Sequence, residues 1–326
     1  MLPNNRLAGS QEDAGPWERS TCEIEAADEW LDDRESLDAF YAEHGYLYLR
    51  EVLDTNAVAE LRKKVVDVLE RHGIVSVDGP EPRWTGTDPM KTSARAELDS
   101  SGHWEAFVEH PAIAACVERV MGDAPFYIGT AVYRFMAPTP SPPFPHQDGF
   151  LLPGVPFMGF WIPLMDVDET LGGLTLADGS HKRGWLPKID PAAAMTDDPK
   201  VAQRGTFYIE RDAVADDSWC RAVTYRAGDL LVLHPQLLHT GLANRTTDRV
   251  RLSIDIRAQR ASAPRTSGAL QSSLQTQARG LESMRVLSQE GVPENRLHDV
   301  FCELFARDTP LDDRPAVRRV IAEALT

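Results

Sequence analysis

The sequence predicts a mainly β protein, an antiparallel sandwich or barrel with α-helices on its outside. Two observations lead to this prediction. In the first 125 residues, apolar side chains recur at helical spacing, and glycines follow the helical segments. After Pro125, short runs rich in β-branched and aromatic residues alternate with turn-forming residues, which is typical of antiparallel sheets. These runs are 126–135, 155–164, 206–210, 222–226, 230–233 and 250–256.

The elements before Pro125 follow from local patterns. Residues 36–43 predict a short helix that leads into Gly45, and residues 46–49 predict a strand. A longer helix is expected over 57–71, because its apolar residues recur at helical spacing; Asp54 or Thr55 caps its start and Gly73 ends it. Those apolar residues are Val58, Leu61, Val65 and Leu69. A further helix is predicted over residues 104–121, with Gly122 as its stop.

No clear linker divides the chain, so we predict one domain over residues 31–326. Residues 1–30 are acidic and are expected to be flexible. Within the domain we expect a β core at about 125–258, a lid or insertion at about 185–220 and a C-terminal helical extension at about 268–326.

The charge of the chain excludes two classes of partner. The formal net charge is −16, which argues against a nucleic acid and against an anionic membrane surface. Residues 1–60 contribute most of this charge, with 15 acidic and 4 basic side chains. A small-molecule substrate is therefore the partner we expect, and the sequence does not indicate an oligomeric state.

The cysteines and the N-terminus predict a cytoplasmic protein. The four cysteines lie far apart without a CxxC spacing, so we expect reduced and mostly structural thiols. They are Cys22, Cys116, Cys220 and Cys302. The first 20 residues contain no apolar core of a signal peptide, and no apolar run has the length of a membrane helix.

A possible metal-binding pattern lies in the segment Pro-Phe-Pro-His-Gln-Asp-Gly. If this segment is a strand, His146 and Asp148 point to one face, because side-chain direction repeats every two residues. A neutral imidazole and a carboxylate on one face offer two neighbouring ligands to a divalent metal. A His-x-Asp triplet is common by chance, so the pair alone indicates little.

A second cluster supplies a third ligand and a binding group for a carboxylate. An apolar strand ends at His234, and His239 follows after a short polar turn. Next comes a strand on which Arg249, Arg251 and Ser253 share one face. An arginine fork beside a hydroxyl suits bidentate recognition of a carboxylate, which a 2-oxo-acid cosubstrate would provide.

Further motifs along residues 37–257 make the pattern more specific. In chain order they are Gly45-Tyr46-Leu47, His110-Pro111, Trp161-Ile162-Pro163-Leu164, Gly172-Gly173-Leu174-Thr175 and Gly179-Ser180-His181. Together with the two clusters, these motifs resemble the phytanoyl-CoA dioxygenase-like family of iron(II)- and 2-oxoglutarate-dependent oxygenases. The resemblance implies a double-stranded β-helix, the jelly-roll or cupin-like core, with flanking α-helices.

The resemblance also implies the metal ligands, which would be His146, Asp148 and His239. His234 competes with His239 for the third position, and the family pattern selects His239. His181 follows Gly179 and Ser180 and is interpreted as a turn residue rather than a ligand.

For 2-oxoglutarate, the resemblance implies an arginine that binds the distal carboxylate. In the family, this arginine usually follows the second histidine ligand at a spacing that corresponds to Val250 here. Arg249 and Arg251 flank Val250, so both arginines remain candidates. We prefer Arg251, because Arg251 and Ser253 resemble the Arg-x-Ser pair of related oxygenases. The remaining residues expected at the cosubstrate are Ser253, Trp161, Tyr133 and Thr175.

The implied reaction uses Fe(II), 2-oxoglutarate and O₂ to hydroxylate an unactivated C–H bond, with release of succinate and CO₂. We expect a small metabolite as the substrate, such as a natural-product intermediate, and assign no separate acid or base. Desaturation, cyclisation and epimerisation use the same cofactors and remain alternatives, as does an acyl-CoA substrate. A zinc hydrolase and a non-catalytic ligand-binding jelly roll are the alternatives from other classes.

Overall fold

The protein is described by a computed structural model in which two compact units divide the chain, residues 1–266 and residues 267–326. The structure describes residues 15–19, 22–79, 81–128, 131–139, 145–150, 155–187, 209, 211–214, 217–263, 286–287, 289–293, 296, 300, 304 and 313–325. Most of the predicted lid at 185–220 lies outside these residues. The prediction of a single domain over 31–326 stays a prediction.

The helices of the first unit lie mainly before the β core. They are α1 (Arg34–His44), α2 (Thr55–Arg71), α3 (Ala94–Asp99), α4 (His103–Val108) and α5 (Pro111–Met121). The Asp54 side chain accepts a hydrogen bond from the backbone N–H of Ala57 and so caps α2. Gly122 ends α5 in the left-handed conformation, as predicted.

The single helix predicted over residues 104–121 was wrong. The structure contains two helices there, because α4 ends at Val108 and Pro111 occupies the first turn of α5. Proline has no backbone N–H and restrains the residue before it to an extended conformation, so it begins a new helix instead of continuing the old one.

Ten strands form two facing sheets of a double-stranded β-helix, which confirms the predicted fold class, and the third and fourth strands of the chain pair with each other instead. The described residues contain twelve strands in all. In chain order they are β1 (Cys22–Glu23), β2 (Tyr46–Leu49), β3 (Val75–Ser76), β4 (Arg83–Trp84), β5 (Pro125–Tyr127), β6 (Val132–Met136), β7 (Met158–Pro163), β8 (Leu174–Ala177), β9 (Trp219–Arg221), β10 (Leu230–Leu233), β11 (His239–Gly241) and β12 (Arg251–Arg260). Among the described residues, the larger sheet has the order β2-β10-β7-β12-β5, with β6 also paired to β12, and the smaller sheet has the order β1-β9-β8-β11.

Strand register decides which side chains of the larger sheet face the smaller one. Ser253 of β12 pairs with Arg134 of β6, and Asp255 pairs with Trp161 of β7. Because directly paired residues share a face, these side chains form one row together with Arg251, two positions along the same strand. The interior of the β core is therefore polar along β12.

One predicted strand differs from the structure, and another lies mostly outside the described residues. Residues 222–226 are not a strand, since β9 ends at Arg221 and only Tyr225 makes an isolated bridge, with Val167. Residues 206–210 lie outside the described residues except for Ile209. Strands β8 and β11 were not predicted, because four residues (Leu-Thr-Leu-Ala) and three residues (His-Thr-Gly) are too few to show a clear alternation.

Described residues of the N-terminal segment pack onto the smaller sheet. Strand β1 pairs in parallel with β9, and Trp17 lies in an apolar cluster with Trp219. The flexibility expected for residues 1–30 stays a prediction.

The prediction of reduced cysteines was wrong for two residues. Cys22 and Cys220 are opposite each other in this register and form a disulfide, whereas Cys116 is a free thiol. The predicted cytoplasmic location stays a prediction.

The second unit, taken by itself, contains one long helix among its described residues, α6 (Arg314–Ala324). Its buried apolar residues form a cluster of their own. They are Val286, Leu287, Val292, Val300, Leu304, Val317, Val320 and Ile321. Within the described part of the whole chain, no helix combines the length and the apolar character needed to cross a membrane.

Candidate functional site

His146 and His239 are brought together by an isolated antiparallel bridge. The backbone N–H of each residue donates to the carbonyl oxygen of the other, with N···O distances of 3.0 and 3.1 Å. The segment is not a strand through both ligands, which was the condition for a shared face, because Asp148 begins a short 3-10 turn, Asp148–Phe150. This turn still brings the Asp148 carboxylate back toward both imidazoles.

The three side chains form one compact group. Their ligand atoms all lie within 4.8 Å of one another. Oδ1 of Asp148 is 3.6 Å from Nε2 of His146 and 3.8 Å from Nε2 of His239. Among the described residues, this is the one group of three or more metal-ligating side chains at such distances. His234 and His181 are not part of it, so the preference for His239 agrees with the geometry.

Protonation of the group suits a divalent metal. The Nδ1–H of His239 donates to the carbonyl oxygen of Leu237 at 3.0 Å, which leaves Nε2 as the lone-pair nitrogen that faces Asp148. Burial lowers the pKa of His239 to about 4, so the imidazole is neutral at neutral pH. Two histidine imidazoles and one carboxylate are the donor set of a non-haem Fe(II) site, so the residues fit this metal.

Arg257 holds the second oxygen of the metal-binding carboxylate. Its Nη2 lies 3.3 Å from Oδ2 of Asp148, and the arginine side chain is only 6% exposed. Burial alone would raise the pKa of Asp148, but Arg257 and the two imidazoles hold that pKa well below its ordinary value. Arg257 thereby leaves Oδ1 as the oxygen that faces both imidazoles.

We expect Arg257→Met to lower the free energy of unfolding of the metal-free protein by about 3 kcal/mol, because Asp148 would become an unpaired buried charge. Added Ni(II) should restore much of this loss, since the dication replaces the lost positive charge. Urea unfolding with and without Ni(II) measures both effects. Arg260→Met is the matched control: Arg260 lies on the same strand, its pair with Asp38 is 41% and 43% exposed, and we expect a loss below about 1 kcal/mol. Equal losses in the two variants would contradict the prediction.

The metal-ligating group opens into a cavity of about 230 Å³ between the two sheets. The same cavity reaches Arg251 and Trp161, and its polar lining also includes Arg134 and Asp255. The apolar part of the lining comes from Met136, Phe160, Leu174, Leu233 and Ile256.

Of the two candidate arginines, Arg251 faces the cavity and Arg249 lies outside it. The buried Arg251 donates through Nη1 to the carbonyl oxygens of Gly172, Gly173 and Leu242. Burial lowers the pKa of Arg251 to about 10, so the guanidinium stays charged at neutral pH. Arg249 instead donates to Asp168 at 2.7 Å.

Trp161 and Ser253 contact each other on the inner face of the larger sheet. The indole N–H of Trp161 donates to the hydroxyl oxygen of Ser253 at 3.0 Å, and both side chains are buried. Trp161 is a lining residue of the cavity, and Ser253 lies on the inner face between Arg251 and Asp255. Both positions agree with their expected place near the cosubstrate.

Tyr133 and Thr175 are not in the positions that sequence reasoning assigned to them. Tyr133 pairs with Ile254 and so lies on the face of the larger sheet opposite to Arg134. The Thr175 hydroxyl donates to the carbonyl oxygen of Cys220, while its neighbour Leu174 lines the cavity. In this arrangement neither hydroxyl is placed to contact the cosubstrate.

His234 and His181 form a separate pair near α1, with ring centroids 5.0 Å apart. Nδ1 of His234 accepts a hydrogen bond from the backbone N–H of Gln236 at 3.1 Å, which requires this nitrogen to be unprotonated. Burial lowers the pKa of His234 to about 4, from 6.5 in the unfolded chain. The unfolded state therefore binds the proton first as the pH falls.

We expect His234 to make the folded state less stable as the pH decreases from 6.5 to 4, by about 2 kcal/mol in total. His234→Asn keeps an acceptor oxygen but does not titrate, so its stability should depend less on pH in this interval. Urea unfolding at several pH values compares the variant with the wild-type protein. Parallel stability curves for the two proteins would contradict the assignment.

Sequence reasoning did not find Gln147, which lies between two of the metal ligands. Its amide nitrogen donates to the carbonyl oxygens of Gly184 and Gln236, and its amide oxygen accepts from the backbone N–H of Leu186. Gln147 thus ties the segment before residue 188 to the metal-ligating group. It is buried between His146 and Asp148, but a glutamine at this position carries no recognisable signal in a single sequence.

Comparison with known proteins agrees with this geometry. The family model for phytanoyl-CoA dioxygenase (PhyH) matches residues 41–252, which include all three metal-ligating side chains and Arg251. The chain belongs to the phytanoyl-CoA dioxygenase family. It is therefore an iron(II)- and 2-oxoglutarate-dependent oxygenase, and the zinc hydrolase and the non-catalytic jelly roll are no longer alternatives.

Individual proteins are also similar to this chain. The 1-deoxypentalenic acid 11-beta-hydroxylase of Streptomyces arenae is 30% identical over 254 residues, which cover 74% of this chain and 86% of that enzyme. The enzyme of the same name from Streptomyces exfoliatus is 30% identical over 253 residues, with the same coverage. A crystal structure of the epimerase SnoN in complex with Fe³⁺, alpha ketoglutarate and nogalamycin RO has 26% identity and a TM-score of 0.47, covering 72% of this chain and 86% of that chain.

Proposed function

We propose that this oxygenase hydroxylates an unactivated C–H bond of a small, largely apolar metabolite. The observation that supports this most is the position of the metal-ligating group at one end of a mostly apolar cavity that also contains Arg251. Similarity to hydroxylases of a small organic acid supports the same type of reaction.

In this proposal His146, Asp148 and His239 hold the iron, which supplies the activation of O₂ when it is bound. Arg251 binds the distal carboxylate of 2-oxoglutarate as a charged fork. Ser253 and Trp161 position that end of the cosubstrate, and the apolar lining excludes water from the substrate. One oxygen atom of O₂ enters the substrate and the other enters succinate, while 2-oxoglutarate loses CO₂.

The lining does not resemble a coenzyme A site, because a thioester of that kind needs a basic patch for its phosphates. Among the described lining residues the arginines are Arg134 and Arg251, and Asp255 neutralises the first of them. A small metabolite without the coenzyme is therefore the substrate class that we propose.

The test begins without O₂. Fe(II) and 2-oxoglutarate are added to the protein, and we expect the absorption band of the Fe(II)–2-oxoglutarate chelate. O₂ is then admitted with a panel of cyclic apolar metabolites, and succinate and the organic product are measured by mass spectrometry. A product that gains one oxygen atom supports hydroxylation. Loss of two hydrogen atoms would replace it with desaturation or cyclisation, and an unchanged mass with inverted stereochemistry would replace it with epimerisation.

A further inference from the structure

An ion pair lines the cavity and involves neither a metal-ligating residue nor Arg251. The Arg134 side chain of this pair is 43% exposed, whereas Asp255 is largely buried. Nε of Arg134 donates to Oδ2 of Asp255 at 2.7 Å, and both residues line the cavity. Asp255 lies on the inner face of β12 opposite Trp161, and Arg134 lies opposite Ser253. Strand register therefore points both side chains toward the interior.

The second oxygen of Asp255 is an unsatisfied acceptor. Oδ1 is buried and has no hydrogen-bond partner among the described residues, and the side chain is 15% exposed. A buried carboxylate oxygen without a partner destabilises the folded protein, so such an atom in a cavity indicates an occupant that donates a hydrogen bond. The cosubstrate cannot be this donor, because 2-oxoglutarate at neutral pH carries only acceptor oxygens. Water supplies this donor while the cavity is empty, and a donor group of the other occupant, the substrate, takes its place when the substrate binds.

The surrounding charges select the chemistry of that donor. A carboxylate would be repelled by Asp255, the acceptor itself. An ammonium group would be repelled by Arg134 on the adjacent strand and by Arg251 in the same cavity. A hydroxyl group donates a hydrogen bond without adding charge. It therefore suits the Arg134–Asp255 pair, whose two charges already cancel.

We propose that Asp255 recognises a hydroxyl group of the substrate, which donates to Oδ1 while Arg134 holds the carboxylate in place. The substrate is then an apolar molecule that already carries a hydroxyl group, and the remaining lining contacts its hydrocarbon part. The inference deepens the proposed function and rests on it. It also implies that an earlier reaction introduces or retains that hydroxyl group.

The experiment uses three probes that share one apolar ring: cyclooctanol, cyclooctanecarboxylate and cyclooctylammonium. Each is titrated without O₂ into protein that holds Fe(II) and 2-oxoglutarate, and the change of the chelate absorption band reports binding. The chelate band itself, recorded before any probe is added, tests the iron and cosubstrate site separately. Failure of that site is thus distinguished from failure of the inference.

Asp255→Leu removes the acceptor, and Asp255→Asn keeps one amide oxygen. Asp38→Asn is the matched control, because Asp38 pairs with Arg260 of the same strand outside the cavity. We expect the wild-type protein and Asp38→Asn to bind cyclooctanol more tightly than the two charged probes. In Asp255→Leu the affinity for cyclooctanol should fall about 10- to 100-fold, and Asp255→Asn should lose less.

Three results would overturn the inference. One is unchanged cyclooctanol affinity in an Asp255→Leu protein that still forms the chelate band. Another is tighter binding of a charged probe than of cyclooctanol by the wild-type protein. The third is no response of the wild-type protein to any of the three probes. If Asp255→Leu does not fold, the comparison of Asp255→Asn with Asp38→Asn decides the question in the same way.

Discussion

Asp148→Ala is expected to abolish both the Fe(II)–2-oxoglutarate chelate band and the succinate that forms after O₂ is admitted. Asp148 supplies the single carboxylate of the group, with Oδ1 within 4 Å of both imidazole nitrogens. Without it, two imidazoles remain beside Arg257, whose positive charge would then repel the dication. Mutation of a residue that hydrogen-bonds to a metal ligand typically lowers metal affinity or activity about 10- to 100-fold. Loss of the ligand itself should have a larger effect, so we expect succinate formation to fall more than about 100-fold.

A matched control separates this effect from the general loss of an Asp–Arg pair. Asp168 also pairs with an arginine, Arg249, but lies outside the cavity. Asp168→Ala should therefore keep the chelate band, although its loop loses hydrogen bonds to Thr170 and Leu171. An Asp148→Ala protein that is folded and still shows the chelate band would disprove the assignment of Asp148 as a ligand.

The residues of the metal-ligating group could be predicted from the sequence, whereas their local structure could not. His146 and Asp148 indicate little as a pair, but together with the later cluster at His239 and the family resemblance they indicate ligand chemistry whatever the backbone does. In place of the strand that was considered for them, the structure has a bridge at His146 followed by a 3-10 turn at Asp148. Cross-strand pairing with His239 determines this geometry, and such pairing between residues 93 positions apart is not encoded in the local pattern.

The alternation of inward and outward side chains along β12 continues beyond the residues used for the prediction. Arg249, Arg251 and Ser253 were predicted to share one face of this strand. The same alternation continues to Asp255, in the cavity, and to Arg257, beside the metal-binding carboxylate. These two residues were within reach of sequence reasoning, because a strand that is inward at Ser253 is inward at both of them.

Other features depend on contacts that no local pattern reveals. Cys22 and Cys220 are joined because a two-residue strand near the N-terminus pairs in parallel with β9. Neither β1 nor β9 has a sequence pattern that is typical of a strand. Tyr133 was expected at the cosubstrate but lies on the face opposite to Arg134, because an isolated β-rich run does not reveal which of its two faces points inward.

The choice between the two arginines is decided by 2-oxoglutarate binding. We expect Arg251→Ala to raise the dissociation constant of 2-oxoglutarate about 100-fold, because a desolvated charge pair with the distal carboxylate is lost. Arg249→Ala should change that constant less than about 3-fold, since Arg249 pairs with Asp168 outside the cavity. Titration of 2-oxoglutarate into the Fe(II) protein without O₂, followed by the chelate band, measures both constants.

Arg251 also contacts three carbonyl oxygens, so its removal affects the structure as well as the cosubstrate. Arg251→Lys separates the two roles. It keeps the positive charge but loses the fork, and we therefore expect a weakening of about 10-fold, between the wild-type protein and Arg251→Ala. Circular dichroism and Co(II) binding show whether each variant retains its fold and its metal-ligating group. If Arg249→Ala weakens 2-oxoglutarate more than Arg251→Ala does, the carboxylate is bound two residues earlier on the chain, and the inward face of β12 does not hold the cosubstrate.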